Sequence, residues 1–498
     1  MRGRFSNSAP GSSRPTDAKL ISLEVNRPDL RFAAGCDSIK IQIEQQGWKF
    51  MKLHIKWKTL VLFLMISALG TLAACSAGGQ KEALSENVLI YANLSESGPD
   101  REAIDEFNKT HTDVQIEVRD YLDAEGNGDK TRLLAEMIAG KGPDIIDMGF
   151  NRDALTTLLP YQRMARGGYL EDLWPYIEND PELGRDALLE PPLKAAEVEG
   201  GLYIAFPSVM INTLVGAEGI VGDRTSWTLE ELRSAFASMP SDSTILNYLY
   251  DRRDAFIYIS GMSLDNYVDW ETGRCSFDSQ GFRSLAEFVK GFPEKSPLDE
   301  IDPTDYAAMM EINKESADRL HGGRQMLQQT MIGRLQDIQY LDSIFGGKAA
   351  FAGYPVEDGS VGSGFYISGR SLAMSSTCRN KEAAWDFLRQ IFLPKGTCAQ
   401  WGGIPINCSD YELSKKCSVS TTIGDASGYE YVIRAATKEE EQRYEDLINS
   451  IDKMELCDKA VFDIVQESLG PYFAGDRILD ETVDLIQNRV SLYVNEQR

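Results

Sequence analysis

The sequence predicts an α/β fold that opens with a doubly wound, parallel sheet. Val88-Leu-Ile-Tyr91 is a compact apolar run, as a strand buried on both faces requires. Val114-Gln-Ile-Glu-Val118 alternates in the manner of a half-buried strand. Between these runs and after them the apolar spacing lengthens to a helical period. Taken in order, Pro99 and Asp100 open a helix whose apolar side holds Ala103, Ile104 and Phe107. Leu133, Leu134, Met137 and Ile138 mark a second helix, stopped by Gly140 and Pro143, and Asp144-Ile-Ile-Asp-Met148 follows as a strand. This is a βαβαβ unit, and ligands in such sheets sit beyond the carboxyl ends of the strands. That singles out the loops 92–98 and 149–153 on topology alone.

Further helices carry their own signals. Thr228-Leu-Glu-Glu231 is a capping box. Asn380 starts a helix whose apolar face uses Ala384, Trp385, Leu388 and Ile391. The last helix starts near Asp480, with Val483, Ile486, Val490 and Tyr493 in a stripe. Trp385 and Tyr493 are therefore expected in the core. No repeat of fixed length is visible.

Upstream of the fold, Lys52, Lys56 and Lys58 precede Leu60-Val-Leu-Phe-Leu-Met-Ile66, and small residues lead to Leu72-Ala-Ala-Cys75. Basic start, short apolar core and small-residue cleavage site form the secretory signal pattern. The 13 residues from Leu60 to Leu72 are too few to cross ~30 Å of hydrocarbon as a permanent helix. The ending resembles a bacterial lipobox, which implies that Cys75 becomes residue one and carries acyl chains such as palmitate. A signal segment should begin at the N-terminus, so residues 1–50 read as a non-native leader ahead of a true start at Met51. Residues 51–74 are then the signal peptide, and 75–85, small and polar, a flexible tether.

From Cys75 onward the 424 residues carry 40 Lys and Arg against 71 Asp and Glu, a net of −31. That length suggests two or more domains with ample cores. The charge argues against nucleic acid or anionic lipid as partners and leaves the lipid anchor as the only membrane attachment in view. Six further cysteines, Cys275, Cys378, Cys398, Cys408, Cys417 and Cys457, permit disulfides in an exported chain. None stands at metal-ligand spacing, and mostly free, buried thiols are expected.

Seven ordered segments carry a family resemblance: Ile104–Lys109, Gly140–Ile146, Gly168–Leu173, Gly201–Pro207, Ser226–Leu232, Asn380–Leu388 and Gly475–Val483. In this order they resemble the extracellular solute-binding proteins of ABC importers, in the sugar-binding group that includes maltodextrin binders. The resemblance covers residues 86–498. It implies a type II periplasmic-binding-protein-like fold of two hinged, doubly wound lobes, with the solute trapped between them. Lobe 1 would comprise 86–206 plus about 370–410, and lobe 2 207–369 plus about 411–498. Crossings would fall near 206–211, near 365–369 and around 405–420. A monomer is implied, with an ABC permease as partner and an oligosaccharide as cargo.

Sugars present hydroxyl edges to Asn, Asp, Glu and Arg and apolar faces to aromatic rings. In the maltodextrin binders the contacts come from the loops after the first strand and after the Gly-Pro-Asp strand. Here those loops supply Asn93, Ser95 and Glu96, then Met148, Phe150, Asn151 and Arg152. Tyr340, Tyr354 and Trp401 are the aromatic candidates for the second lobe and cleft. Two features depart from the family. The first crossing, Phe206-Pro-Ser-Val-Met-Ile211, is apolar where maltodextrin binders have a carboxylate, and their Tyr-Asn-Lys is missing. Both bear on which solute is bound.

Other chemistry finds little support. No Gly-x-Ser-x-Gly, His-Glu-x-x-His or Cys-x-x-Cys occurs. Asp123–Asp129 matches the early positions of a calcium loop, but the twelfth is Leu134 where a bidentate Glu belongs, so no metal is expected. Neither a cofactor nor a catalytic residue is expected. The reading is a lipid-anchored, non-enzymatic receptor. The alternatives are a receptor for a polyamine, peptide or phosphorylated compound, and a surface glycoside hydrolase, which needs only two placed carboxylates.

Overall fold

The computed structural model describes residues 87–496 apart from 96–97, 125, 127, 150–160, 261–263, 271, 357–361, 398–402, 418–420, 426 and 456–457. The opening unit forms as its pattern predicts. Strand β1 (Val88–Asn93) pairs in parallel with β2 (Gln115–Asp120) on one side and with β3 (Ile145–Gly149) on the other. Asp100 caps the helix Arg101–Thr110, accepting from the Ala103 N–H at 3.1 Å, and that helix buries Ile104 and Phe107. Asp129 caps Lys130–Ile138 through the Arg132 N–H at 2.9 Å.

A ten-residue strand, β4 (Ser208–Ala217), starts a second sheet. After the short ladder of β5 (Val268–Asp269) with β6 (Arg274–Cys275), three antiparallel partners join β4: β7 (Leu327–Ile332), β8 (Ala349–Phe351) and β9 (Gly364–Ser368). The chain then returns as β10 (Ser371–Met374) to pair antiparallel with β3, giving the first sheet the order β10-β3-β1-β2. Strand β11 (Ile404–Pro405) comes back to β4, and β12 (Thr421–Gly424) with β13 (Glu430–Ile433) makes a hairpin.

Two cores result, and β4 divides them. Side chains alternate along a strand. Val209, Ile211 and Val215 pack into a core that also holds the first sheet. Leu214, on the other face, packs with Trp227, Phe256, Phe282, Phe462 and the helix Leu479–Glu496. The Thr228 capping box is present. Trp385 is buried, and its indole N–H donates to Asp180 at 3.1 Å. Arg389 grips the same carboxylate at 2.6 and 2.8 Å and holds Asp180 down at about 2. The last helix departs from its expected stripe at one place. Val494 takes the buried position and Tyr493 turns half outward, its hydroxyl donating to Asp458 at 3.2 Å.

Cys275, Cys378 and Cys408 are free, only Cys378 fully buried, whereas Cys417 is disulfide-bonded. The expectation of mostly free, buried thiols is thus corrected at Cys417. Among the described residues no helix is long and apolar enough to cross a membrane.

Candidate functional site

Three stretches of chain meet where the sheets adjoin. Ala205 and Leu372 exchange two backbone hydrogen bonds at 2.8 and 2.9 Å, so the outgoing and returning segments run side by side. Ser208 Oγ donates to the Ser368 carbonyl at 2.7 Å, and the Ile406 N–H to the Pro207 carbonyl at 2.9 Å. Gly369 turns the returning segment with φ +98°, and a Cβ there would stand 2.7 Å from Pro207 Cγ. A side chain is disfavoured at that position both by the backbone and by the neighbour. Next to it, Arg370 pairs with the fully buried Asp147 of β3 and donates to the Gly98 carbonyl at 2.9 Å. Tyr91 completes this clamp, its hydroxyl donating to Asp147 at 2.7 Å. One arginine at the crossing therefore fixes the loop that follows β1.

A polar cluster sits on the β4 face that the first core leaves free. Asn212 accepts from Gln329 of β7 at 2.6 Å and from the Tyr354 hydroxyl at 2.9 Å, and donates to Glu455 at 2.8 Å. Glu455 arrives on a third segment. Met454 bridges Phe365 of β9 in parallel, with the Glu455 N–H donating to the Phe365 carbonyl at 2.6 Å. Burial pushes the Glu455 carboxyl up to about 7, against the pull of Asn212 and Lys453. Towards the crossing the same face carries Met210, Met331 and Tyr366, whose hydroxyl meets both sulfurs, Met210 Sδ at 3.1 Å and Met331 Sδ at 2.5 Å. Met331 is 46% exposed.

Beside Met331 lies a cavity of about 290 Å³ lined by Arg334, Asp337, Tyr340, Asp425 and Tyr431 among others. Tyr340 and Tyr431 meet edge to face with centroids 4.6 Å apart. The Tyr431 hydroxyl donates to Asp425 at 2.7 Å. Arg334 pairs with Asp337 at 3.1 Å. Ring faces, hydrogen-bonding oxygens and a volume near the lower end of ligand pockets suit a small polar solute with apolar faces.

The sequence candidates divide as follows. Asn93 is buried, with its amide donating to Asp120 at 2.8 Å and its carbonyl oxygen accepting from the Ser95 N–H at 3.2 Å, so it braces the loop after β1. Ser95 is half-buried in that loop. Met148 packs in the first core and Tyr354 in the second, 3% and 2% exposed. Both are core side chains with their surfaces covered. Tyr340 lines the cavity just described. Glu96, Phe150, Asn151, Arg152, Trp401 and Cys75 lie outside the described residues. Sequence reasoning missed Asn212 and Glu455. Asn212 carried a signal, as the amide within an otherwise mainly apolar strand, and Glu455 carried none.

A family model for bacterial extracellular solute-binding proteins matches residues 102–415. The chain belongs to that family. Its fold is accordingly the type II periplasmic-binding-protein arrangement that the seven segments implied. The sugar-binding protein MalE from the phytopathogen Xanthomonas citri is 14% identical, with 82% of this chain and 98% of that one covered at a TM-score of 0.50. A periplasmic oligogalacturonide-binding protein from Yersinia enterocolitica is 13% identical over 82% of this chain and 99% of that one, at 0.49. At such identities the likeness is one of fold, and the first of the two carries it. No curated protein sequence matches the chain. For this solute-binding protein, the crossing strands with Arg370, the Asn212–Glu455 cluster and the Tyr340 cavity make up the candidate site.

Proposed function

We propose that the protein is a lipid-anchored receptor, not an enzyme, that captures a carbohydrate and delivers it to the permease of an ABC importer. The observation that carries this reading is the family match over residues 102–415 on a chain whose two sheets are joined by adjacent crossings. The cargo is an oligosaccharide, held as a monomeric receptor closes. Lobe 1 takes 86–206 and about 370–410, and lobe 2 takes 207–369 and about 411–498. Ser95, Asn151 and Arg152, from the loops after β1 and β3, bind the cargo together with Tyr340. Supporting the sugar assignment are the paired rings of Tyr340 and Tyr431 and the hydrogen-bonding oxygens around them. For closure to follow binding, the solute must interact more strongly with the closed state than with the open one.

A thermal-shift screen of the mature protein across sugars, polyamines and peptides tests the proposal. A cargo at a hundredfold excess over its dissociation constant raises stability by ~2.7 kcal/mol, which is readily measured. Stabilisation by glycans without product supports the receptor, and glycan turnover points to the hydrolase. A shift only with polyamines or peptides would replace the cargo.

A further inference from the structure

Two charged side chains on the third segment are buried with few partners among the described residues. Lys453 and Glu455 flank Met454, which bridges Phe365 and packs into the first core. Residues i and i+2 of an extended segment point the same way. Both therefore project to the opposite side, where Asn212 meets Glu455 at 2.8 Å. The Lys453 ammonium is buried yet reaches no hydrogen-bond partner among the described residues, Glu455 included. The Glu455 carboxyl, 5% exposed, has Asn212 as its only side-chain donor among the hydrogen bonds of the described residues. A buried ammonium without acceptors and a carboxyl with one donor are both costly in a folded chain, and such groups are normally satisfied.

We infer that Lys453 and Glu455 form a diol-reading pair for the receptor's cargo, Lys453 donating to one hydroxyl oxygen and Glu455 accepting from the adjacent hydroxyl. The inference rests on the receptor reading and names the chemistry recognised: a neutral polyol with neighbouring hydroxyls. It also explains how a site can hold a carboxylate although residues 206–211 are apolar. The carboxylate comes from a segment 243 positions away from Asn212. Around Glu455 the titratable groups are Lys453 on its own segment and the Tyr354 hydroxyl, which lies near Tyr258 of the helix Arg252–Ser260. Asn212 of β4 and Gln329 of β7 do not titrate.

A cargo hydroxyl that donates to Glu455 stabilises its ionised form, so binding releases a proton. Calorimetry with malto-, cello- and galacto-oligosaccharides between pH 5.5 and 8.5 reads this directly. In the unaltered protein the affinity should rise by up to about tenfold per pH unit below pH 7 and level off above it. Glu455→Gln should abolish the slope, and Glu455→Gln and Lys453→Met should each weaken binding roughly five- to 150-fold. Melting curves establish that the variants are folded, and the pH profile itself needs no variant. Glycan binding that ignores pH, or that both variants leave unchanged, overturns the pair and leaves the receptor standing. Absence of glycan binding, or preference for polyamines or peptides, overturns both.

Discussion

Replacing Asn212 with leucine removes the centre of the polar cluster while keeping its branched shape. Asn212 satisfies the Tyr354 hydroxyl at 2.9 Å and the Glu455 carboxyl at 2.8 Å, both buried, and accepts from the half-buried Gln329 at 2.6 Å. Gln329 can turn towards water, so two groups are left unpaired. At about 1–3 kcal/mol for each, the loss should be roughly 2–6 kcal/mol. That is a large share of the 5–15 kcal/mol typical of a folded domain. Urea unfolding should show a lowered midpoint with an unchanged slope. Tyr354→Phe alone should cost about 1 kcal/mol, but should stabilise once Asn212 is leucine, because it then removes an unpaired buried hydroxyl. A loss below 1 kcal/mol for Asn212→Leu, or strict additivity of the two changes, refutes the assignment of the cluster as a connected network. The sign of the pH dependence follows from Glu455. Its folded value, about 7, lies above the ordinary 4.5, so its contribution is fully present below about pH 4.5. The contribution is lost as pH rises through about 7, and Glu455→Gln should flatten that part of the stability profile.

The remaining predictions concern other regions. Asp180 behaves in the opposite sense: held down at about 2 by Arg389, it stabilises above pH 3.8 and loses that effect as pH falls through about 2. Asp180→Asn should cost on the order of 1–2 kcal/mol at neutral pH, a difference that shrinks on acidification in thermal melts. Gly369→Ala should destabilise by about 1–3 kcal/mol, since φ +98° and the Pro207 ring both oppose a Cβ; an unchanged melting temperature would count against strain at the crossing. Cys75→Ser should move the protein from membranes to the soluble fraction, and unaltered membrane association would rule out the lipid anchor.

Local signals were legible in the sequence and long-range ones were not. The βαβαβ unit, the Asp100, Thr228 and Asn380 caps and the burial of Trp385 follow from patterns within a dozen residues. Tyr493 packs against the second core but stays half-buried, because a helical stripe admits either of two neighbouring positions one turn on. Packing settled it, with Val494 inward and Tyr493 towards Asp458. Tyr340, one of three aromatic candidates in the sequence, packs against the first core and also lines a cavity. Tyr354 looked equivalent in sequence, yet β4 and β7 bury it, and no local pattern separates the two. Glu455 belongs to the site only because residues 453–455 lie along β9, a pairing between positions about ninety apart in the chain.

Strand β4 also has a consequence for the order in which the molecule can be assembled. Its partners at 327–332, 349–351, 364–368 and 404–405 are all synthesised well after it, and β3 likewise waits for 371–374. Pairings this distant carry a loop-closure cost that must be met before any contact rewards it, and chains dominated by them fold slowly. Neither sheet can be completed while the last third of the polypeptide is missing. For an extracellular protein that delay is useful, because a chain that cannot close early remains extended enough to be threaded through a translocation channel.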